Sequence, residues 1–291
     1  MEFLETLING LSMGGTYAMI ALGYTMVYGI AKMLNFAHGD IIMVGGYTIF
    51  VTMSAMGNPI VGLAAAVVFC VLLGVTIEKI AYKPLRGASP LAVLITAIGV
   101  SYLLQSTAQM IFGTQAQPAT IFENLGSYEI AGVNIKKDTV ITLASSIVIM
   151  VILSLFVKYS KTGRAMIAVS EDKGAAQLMG INVNKIITIT FAIGSALAAF
   201  AGFFMLMKSP FVTNTLGAMP GIKAFTAAVI GGIGSIPGAM LGGVLMGVIE
   251  SVSYKIPAIA PYTDAIEFLV LIVILLVRPS GILGKKRREK V

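Results

Sequence analysis

Seven stretches of the sequence contain no Asp, Glu, Lys or Arg, which leaves few folds open to the chain. They are Thr6–Ala31, Ile41–Ile77, Gly87–Phe122, Thr139–Val157, Ile186–Met207, Ala224–Ile249 and Phe268–Val277. A helix crosses the hydrocarbon core with roughly 20 apolar residues, so most of these stretches fit one membrane span. The run from Ile41 to Ile77 fits two, because Gly57 and Pro59 mark a break within it. The sequence therefore predicts an all-α, polytopic helical membrane protein.

The overall composition agrees with a membrane location. The 291 residues are 57% hydrophobic and only 11% charged, with a mean hydropathy of +0.92. Soluble domains contain about 25% charged residues, so this chain has too few ionisable groups to cover a water-exposed surface. Long runs of Leu, Ile, Val, Ala, Met and Gly favour helices over the short alternating strands of a barrel. The only cysteine, Cys70, lies in a predicted span, which excludes a disulfide framework.

Basic residues are concentrated in three segments between the predicted spans. Glu78–Pro90, Lys158–Lys185 and Arg278–Val291 hold 14 of the 20 Lys and Arg residues. Cytoplasmic loops of membrane proteins are enriched in Lys and Arg, so we expect all three segments, and with them the C-terminus, in the cytoplasm. The basic tail 278–291 then lies beside anionic lipid headgroups, and nucleic acid is not expected as a partner.

This sidedness restricts the number of spans, because an even number must separate any two cytoplasmic segments. Leu91–Phe112 and Thr139–Val157 supply two crossings between the first and second basic segments. Three apolar blocks are obvious between the second and third, and splitting the glycine-rich block at GGIGSIPG supplies a fourth crossing. The predicted total is nine spans, or eight to ten if one piece is re-entrant, with the N-terminus outside.

The glycine-rich block from 231 to 247 contains small residues four positions apart, such as Gly238 and Gly242. Small residues at this spacing share one helix face and allow two helix backbones to approach closely in a membrane. The alternative is a break whose backbone lines a substrate path, as interrupted helices do in transporters. The glycines of that break are Gly231, Gly232, Gly234 and Gly238. The sequence lacks the glycine patterns of nucleotide-binding loops.

Three polar residues, Asn35, His38 and Asp40, join the first two predicted spans. Asp is a frequent helix N-cap, so one interpretation is that Asp40 caps the second span while Asn35 and His38 satisfy nearby backbone groups. The alternative is a polar hinge at the inner end of the transport pathway. His38 is the only histidine in the chain, which excludes a multi-histidine metal site, and no metal is expected.

Glu250 and Glu267 lie within or beside the last predicted spans. Glu267 precedes Val277 by ten residues, or about 15 Å along a helix, which predicts a position near mid-depth. Acidic groups at that depth face the bundle interior or a water-filled cavity. The two glutamates are therefore candidate pathway residues, with helix caps or interface positions as the alternative.

The second basic segment contains the signals of a short polar helix. Ser170 is a suitable N-cap for a helix that begins at Glu171, and Glu171 and Asp172 would stabilise its first turn. Gly180 fits the left-handed position after the helix, with Ile181 as the apolar residue that follows. A helix of about nine residues is too short to be stable alone, so its partly apolar face must lie on its own subunit, on the membrane surface or in a cytoplasmic partner.

Three blocks of the sequence together resemble one protein family. They are Gly10–His38, Ala168–Gly202 and Ala228–Gly243, and the second contains EDKGAAQLMGINVNKI followed by FAIGSALAAFAG. In order and spacing the blocks resemble ABC importer permeases, and more narrowly the shorter permease subunit of the branched-chain (hydrophobic) amino acid uptake system. The resemblance runs nearly end to end, and it implies one transmembrane permease domain over residues 1–291 with broken or re-entrant helices.

The resemblance also implies partners and a mechanism. Such permeases pair with a second permease subunit, identical or homologous, and stand on two cytoplasmic ABC ATPases that use ATP and Mg²⁺, while this chain binds no cofactor. A substrate-binding protein outside a bacterial-type inner membrane delivers the amino acid. The coupling helix transmits ATPase motion to the spans. By position its residues here are Glu171, Asp172, Ala175, Ala176, Leu178, Met179, Gly180 and Ile181.

Two other transport functions are weighed against this one. Permeases for urea or short amides resemble the chain around Asn35–Gly39, so the substrate is open between these classes. A secondary carrier driven by protons or sodium would need Glu250 and Glu267 to titrate during transport, and would leave the short polar helix without a role. No nucleophile or metal set supports an enzyme.

Overall fold

The computed structural model describes residues 2–122, 125–130 and 133–284, and these residues form a bundle of helices. The helices are α1 (Glu2–Ala31), α2 (His38–Met56), α3 (Pro59–Ile77), α4 (Pro90–Phe112), α5 (Lys137–Tyr159), α6 (Lys161–Glu171), α7 (Lys173–Leu178), α8 (Val183–Lys208), α9 (Ala218–Gly231), α10 (Ile236–Lys255) and α11 (Thr263–Val277). A π-helical turn (Glu78–Tyr82) and a 3₁₀ turn (Lys83–Leu85) extend α3, and another 3₁₀ turn (Ala260–Tyr262) precedes α11. The basic residues 285–291 of the predicted tail lie outside the described residues.

The predicted membrane spans agree with the helices of the bundle. Within the described ranges, seven helices are long and apolar enough to cross a membrane: α2, α3, α4, α5, α8, α10 and α11. The other two predicted spans are also helical, as α1 and α9. The 14 residues of α9 cover about 21 Å, which is less than the roughly 30 Å hydrocarbon core. The predicted span at 219–231 is therefore a short helix, α9, which packs against longer helices.

Helix α1 occupies the centre of the bundle and packs against α5, α8, α9 and α10. Glycines allow its close approach to α10, because a Cβ on Gly14 would lie 2.6 Å from the Cα of Val244. Gly247 faces Gly10 and Gly14, and Gly243 faces Ala18. These contacts confirm the prediction that small residues in the glycine-rich block support tight helix packing.

The connection between α1 and α2 turns back into the protein. Helix α1 ends at Ala31, yet His38 at the start of α2 lies against Gly23 and Tyr24, two turns earlier in α1. Asn35 in the connecting segment is buried. Non-helical backbone is tolerated at membrane depth only where protein or a water-filled cavity surrounds it. This segment is a broken entry into α2, of the kind that the family resemblance implies.

Two short antiparallel strand pairs lie at one end of the bundle. Strand β1 (Gln117–Pro118) pairs with β4 (Phe211–Val212), and β2 (Ser127–Ile130) pairs with β3 (Val133–Lys136). They follow the end of α4, precede α5 and follow α8, so they mark the end of the bundle opposite α6 and α7. The two ends therefore differ in their secondary structure.

Candidate functional site

The segment predicted as one coupling helix consists of two helices. Helix α6 ends at Glu171 and α7 begins at Lys173, with Asp172 between them. Asp172 is the N-cap of α7, since its carboxylate accepts a hydrogen bond of 3.0 Å from the amide of Ala175. The predicted cap, Ser170, instead donates its hydroxyl to the carbonyl of Ile167 in the last turn of α6. The prediction of a helix start at Glu171 was wrong, because α6 has its own cap at Ser160 and continues through Ser170.

The end of α7 agrees with the prediction. Gly180 has a φ of +82°, the left-handed conformation that favours glycine. The amide of Ile181 donates to the carbonyl of Ala176, and the amide of Gly180 donates to that of Gln177, both at 3.0 Å. These two bonds form a Schellman motif, which holds a helix of only six residues in a fixed shape.

The side chains of α7 divide between this subunit and the exterior. Ala176 is 4% exposed and packs against its own chain, whereas Leu178 and Met179 are 90% and 82% exposed. Ala175 is also exposed. The inner face of α7 therefore attaches it to the bundle, while Leu178 and Met179 lie on its exposed side.

Hydrogen bonds fix this segment to the ends of several membrane helices. The ammonium of Lys173 donates to the carbonyl of Ala31, at the end of α1, over 2.8 Å. Burial and the nearby charge of Arg86 lower the pKa of Lys173 below its ordinary value. Arg86 forms an ion pair with Glu78 and donates to Asn184 at the start of α8. Two of the three basic segments thus lie at one end of the bundle.

The start of α2 is joined to two other elements by buried polar side chains. Tyr82 donates its hydroxyl to the Asn35 side-chain oxygen over 2.8 Å. Gln105 of α4 donates to the Asp40 carboxylate over 2.8 Å. The N-cap of α2 is Ala37, and no side chain caps it by a hydrogen bond, so the interpretation of Asp40 as a cap was wrong. His38 packs edge-on against Tyr24 with ring centroids 4.8 Å apart.

Glu250 and Glu267 lie together in a buried cluster around Lys223 of α9. The Lys223 ammonium lies 2.8 Å from Glu250, 2.8 Å from Asp264 and 3.2 Å from Glu267. The side chains of Lys223, Glu250 and Glu267 are at most 6% exposed, while Asp264 is half exposed. Glu267 is the fifth residue of α11 and the eighth of the apolar span Ala260–Val277. It lies ten residues, or about 15 Å, before Val277, and its position near mid-depth stays a prediction.

Lys223, the centre of this cluster, was not predicted as a site residue from the sequence. Lys223 directly precedes the uncharged run Ala224–Ile249, which makes it resemble a flanking residue at the membrane surface. Its partners are 27 to 44 positions away in the chain. The signal that could have identified Lys223 is its position as a single lysine in a glycine-rich apolar block without neighbouring charges.

Of the glycines predicted to form a break, Gly232 and Gly234 lie in the connection between α9 and α10, whereas Gly231 ends α9 and Gly238 lies in the first turn of α10. Their backbone is covered by the segment after α11, because Ile282 and Leu283 donate their amides to the carbonyls of Ile230 and Gly231 at 2.8 and 2.9 Å. A Cβ on Gly232 would lie 2.5 Å from the amide nitrogen of Gly284. Gly231 and Gly238 pack directly on each other, and Gly234 faces Gly29. This geometry supports a packing role for the hairpin.

A cavity of about 190 Å³ opens between α1, α5, α8 and the start of α9. Its lining residues are Ser12, Met13, Thr16, Tyr17, Asp138, Thr139, Thr142, Phe204, Met205, Lys208, Ser209 and Pro220. Asp138 lies in the first turn of α5 and Lys208 ends α8, so the cavity lies at the end of the bundle opposite α7. The sequence analysis did not predict it, since its walls come from four separate parts of the chain.

Comparison with known proteins identifies relatives over the full length of the chain. A family model described as the permease component of branched-chain amino acid transport systems matches residues 6–275. The high-affinity branched-chain amino acid permease BraD of Pseudomonas aeruginosa is 43% identical over all of this chain and 98% of its own length. The corresponding permease LivH of Escherichia coli K12 is 41% identical with the same coverage.

A solved structure shares the fold at low sequence identity. The inward-facing structure of a metal-chelate type ABC transporter matches 94% of this chain and 87% of its own, with a TM-score of 0.50 and 13% identity. At this identity the match concerns the fold alone. From the family model and the full-length relatives, we conclude that this chain belongs to the family of branched-chain amino acid transport system permeases.

Proposed function

We propose that this chain is a membrane permease subunit of an ATP-driven importer for branched-chain and related hydrophobic amino acids. The observation that carries the proposal is full-length similarity at 41–43% identity to permeases whose names state this substrate class. The chain supplies the transport path, and separate ATPase subunits use ATP and Mg²⁺. Helix α7 is attached to the bundle through Ala176 and exposes Leu178 and Met179. This arrangement is consistent with binding of a separate ATPase subunit.

The proposed coupling surface is the exposed face of α7, formed by Leu178, Met179 and Ala175. Burial of two large apolar side chains would contribute about 1.5–3 kcal/mol each to binding an ATPase. Asp172 and the Schellman motif fix the shape of the helix, while Lys173 fixes its position against α1. A movement of the bound ATPase would therefore be transmitted to α1, the central helix of the bundle.

The proposed assembly contains two permease subunits, two ATPases and one external substrate-binding protein in a bacterial-type inner membrane. The basic loops 78–90 and 158–185 are then cytoplasmic, and the segment 278–284, which lies against Ile230 and Gly231, shares their side. The opposite end of the bundle, with the strand pairs and the cavity, receives the binding protein.

The experiment is reconstitution of the purified four-subunit complex in proteoliposomes with its binding protein outside. We expect ATP-dependent uptake of radiolabelled leucine that stops when the ATPase subunits are omitted. Uptake of urea but not leucine would overturn the substrate class. Uptake that continues without ATPase subunits and collapses with a proton uncoupler would overturn the ABC mechanism in favour of a secondary carrier.

A further inference from the structure

The cavity between α1, α5, α8 and α9 has the chemistry of a site for a zwitterion with an apolar side chain. Asp138 and Lys208 supply opposite charges to its wall, and Phe204, Met205 and Met13 supply apolar surface. Ligand pockets combine apolar walls with a few polar groups that fix orientation. A free hydrophobic amino acid has the same combination of one cation, one anion and one apolar chain.

The two charged side chains are available to a ligand. The Asp138 carboxylate accepts a hydrogen bond of 2.7 Å from the amide of Thr139, which holds it at the start of α5. Lys208 ends α8 and stays exposed at the mouth of the cavity. Among the described residues, no ion pair joins Asp138 to Lys208 or to any other side chain. Asp138 and Lys208 therefore face the cavity without a direct ion pair between them, so each can bind the oppositely charged group of a zwitterion.

The size of the cavity agrees with a single amino acid. An apolar cavity of about 150 Å³ accommodates benzene, which has six non-hydrogen atoms, and this cavity measures about 190 Å³. Leucine has nine non-hydrogen atoms, three of which belong to the carboxylate and two to the Cα–N unit that would lie at the open, polar side. Thr16 and Thr142 add hydroxyl groups to the wall.

We infer that this cavity is an intermediate site in the permease subunit, where Lys208 binds the carboxylate and Asp138 the ammonium of a hydrophobic amino acid received from outside. This inference rests on the proposed function and adds the residues that recognise the substrate. Tyr17 lines the cavity and also faces Glu250. The site is therefore adjacent to the buried charge cluster around Lys223.

The test measures ligand protection of a cysteine placed in the cavity of the assembled complex. Ser12→Cys is labelled with a membrane-impermeant thiol reagent in the presence of leucine, or of leucinol, which lacks the carboxylate. The unmodified chain is the background control, because its only cysteine, Cys70, is buried. Thr142→Cys, which also lines the cavity, serves as a second reporter if the first variant does not assemble.

We expect leucine to slow the labelling, and leucinol to require at least about tenfold higher concentrations, since a charge-assisted hydrogen bond contributes roughly 1.5–3 kcal/mol. With Lys208→Met, leucine and leucinol should protect equally weakly. Lys255→Met changes an exposed lysine at the end of α10 that does not line the cavity, and it should leave the protection by both compounds unchanged. If the complex imports leucine but labelling is insensitive to it, or if Lys208→Met protects like the unmodified chain, the inference is overturned. A complex that imports no leucine would instead contradict the proposed function.

Discussion

The two ends of this bundle both contain buried ion pairs, but they expose different groups to the exterior. At the end that carries α6 and α7, ion pairs and hydrogen bonds such as Arg86–Glu78 and Lys173–Ala31 lie under the surface, and the exposed α7 face is apolar at Leu178 and Met179. At the other end the charges around Lys223 are buried, and the opening contains the free pair Asp138 and Lys208. The first arrangement suits a protein partner, and the second suits a small polar ligand.

The difference agrees with the roles proposed for the two ends, which are ATPase coupling at α7 and substrate binding at the cavity. A helix that must transmit force needs fixed attachment, which Ala176 and Lys173 provide through burial and a hydrogen bond. A site that must accept and release a ligand needs groups that are not already neutralised.

The largest expected effect is loss of ATPase association when the exposed α7 face becomes charged. We expect Leu178→Asp combined with Met179→Asp to reduce co-purification of the ATPases and leucine uptake by at least about tenfold, because two buried apolar contacts are lost and two charges are desolvated. The thermal midpoint of the isolated subunit should stay within about 2 °C, since both side chains are exposed.

Ala176→Arg is the matched variant for that experiment. Ala176 is buried on its own subunit, so the substitution should lower the thermal midpoint as well as ATPase association. Equal co-purification of ATPases with the double Asp variant and with the unmodified chain would remove α7 from the interface.

The second prediction concerns the buried charges at the opposite end. Lys223→Met should destabilise the subunit by about 3–5 kcal/mol, because Glu250 and Glu267 would remain buried without their cation. The free energy of unfolding in detergent or lipid measures this effect. Addition of Glu250→Gln should recover part of the loss, and Asp264→Asn alone should cost less because Asp264 is half exposed. A Lys223→Met variant as stable as the unmodified chain would contradict the role of the cluster.

The sequence predicted the features that local rules or composition determine. Charge-free runs located the helices, and a glycine followed by Ile181 located the end of α7 because the left-handed position is a local requirement. The sequence analysis chose Ser170 as the N-cap, whereas Asp172, two residues later, caps α7. The choice between them depended on α6 extending through Ser170.

Features built from distant parts of the chain escaped sequence analysis. The role of Lys223 depends on ion pairs with Glu250 and Glu267, which lie on two later helices. The cavity forms only where α1, α5, α8 and α9 pack together. Asp40 had the residue type of a cap, but its partner is Gln105, which lies 65 positions away. Interactions over such separations become visible only when the packing of the helices is known.

The third prediction tests the contact between the turn after α3 and the segment that connects α1 to α2. Tyr82→Phe removes the hydroxyl that donates to Asn35, and both residues are buried. The unpaired Asn35 oxygen should cost about 1–3 kcal/mol, measured again as the free energy of unfolding. Tyr159→Phe, at an exposed tyrosine, is the control and should be neutral. An equal effect of both variants would show that the Asn35 contact does not stabilise the broken entry into α2.

The smallest expected effect is local and concerns the shape of α7. Gly180→Ala should strain the left-handed backbone at φ +82° by about 1–2 kcal/mol, because the surroundings of Gly180 are open and only its conformation opposes a side chain. The amide of Ile181, which closes the Schellman motif, should then exchange its hydrogen about 5–30 times faster. Gly174→Ala is the matched control within the same helix and should be neutral or protective, since alanine is favoured over glycine at helical positions. If both substitutions change the exchange of Ile181 in the same direction, the conformation of Gly180 does not hold the coupling surface. Faster exchange in Gly180→Ala, together with unchanged or slower exchange in Gly174→Ala, would attribute the rigidity of α7 to the left-handed conformation of Gly180.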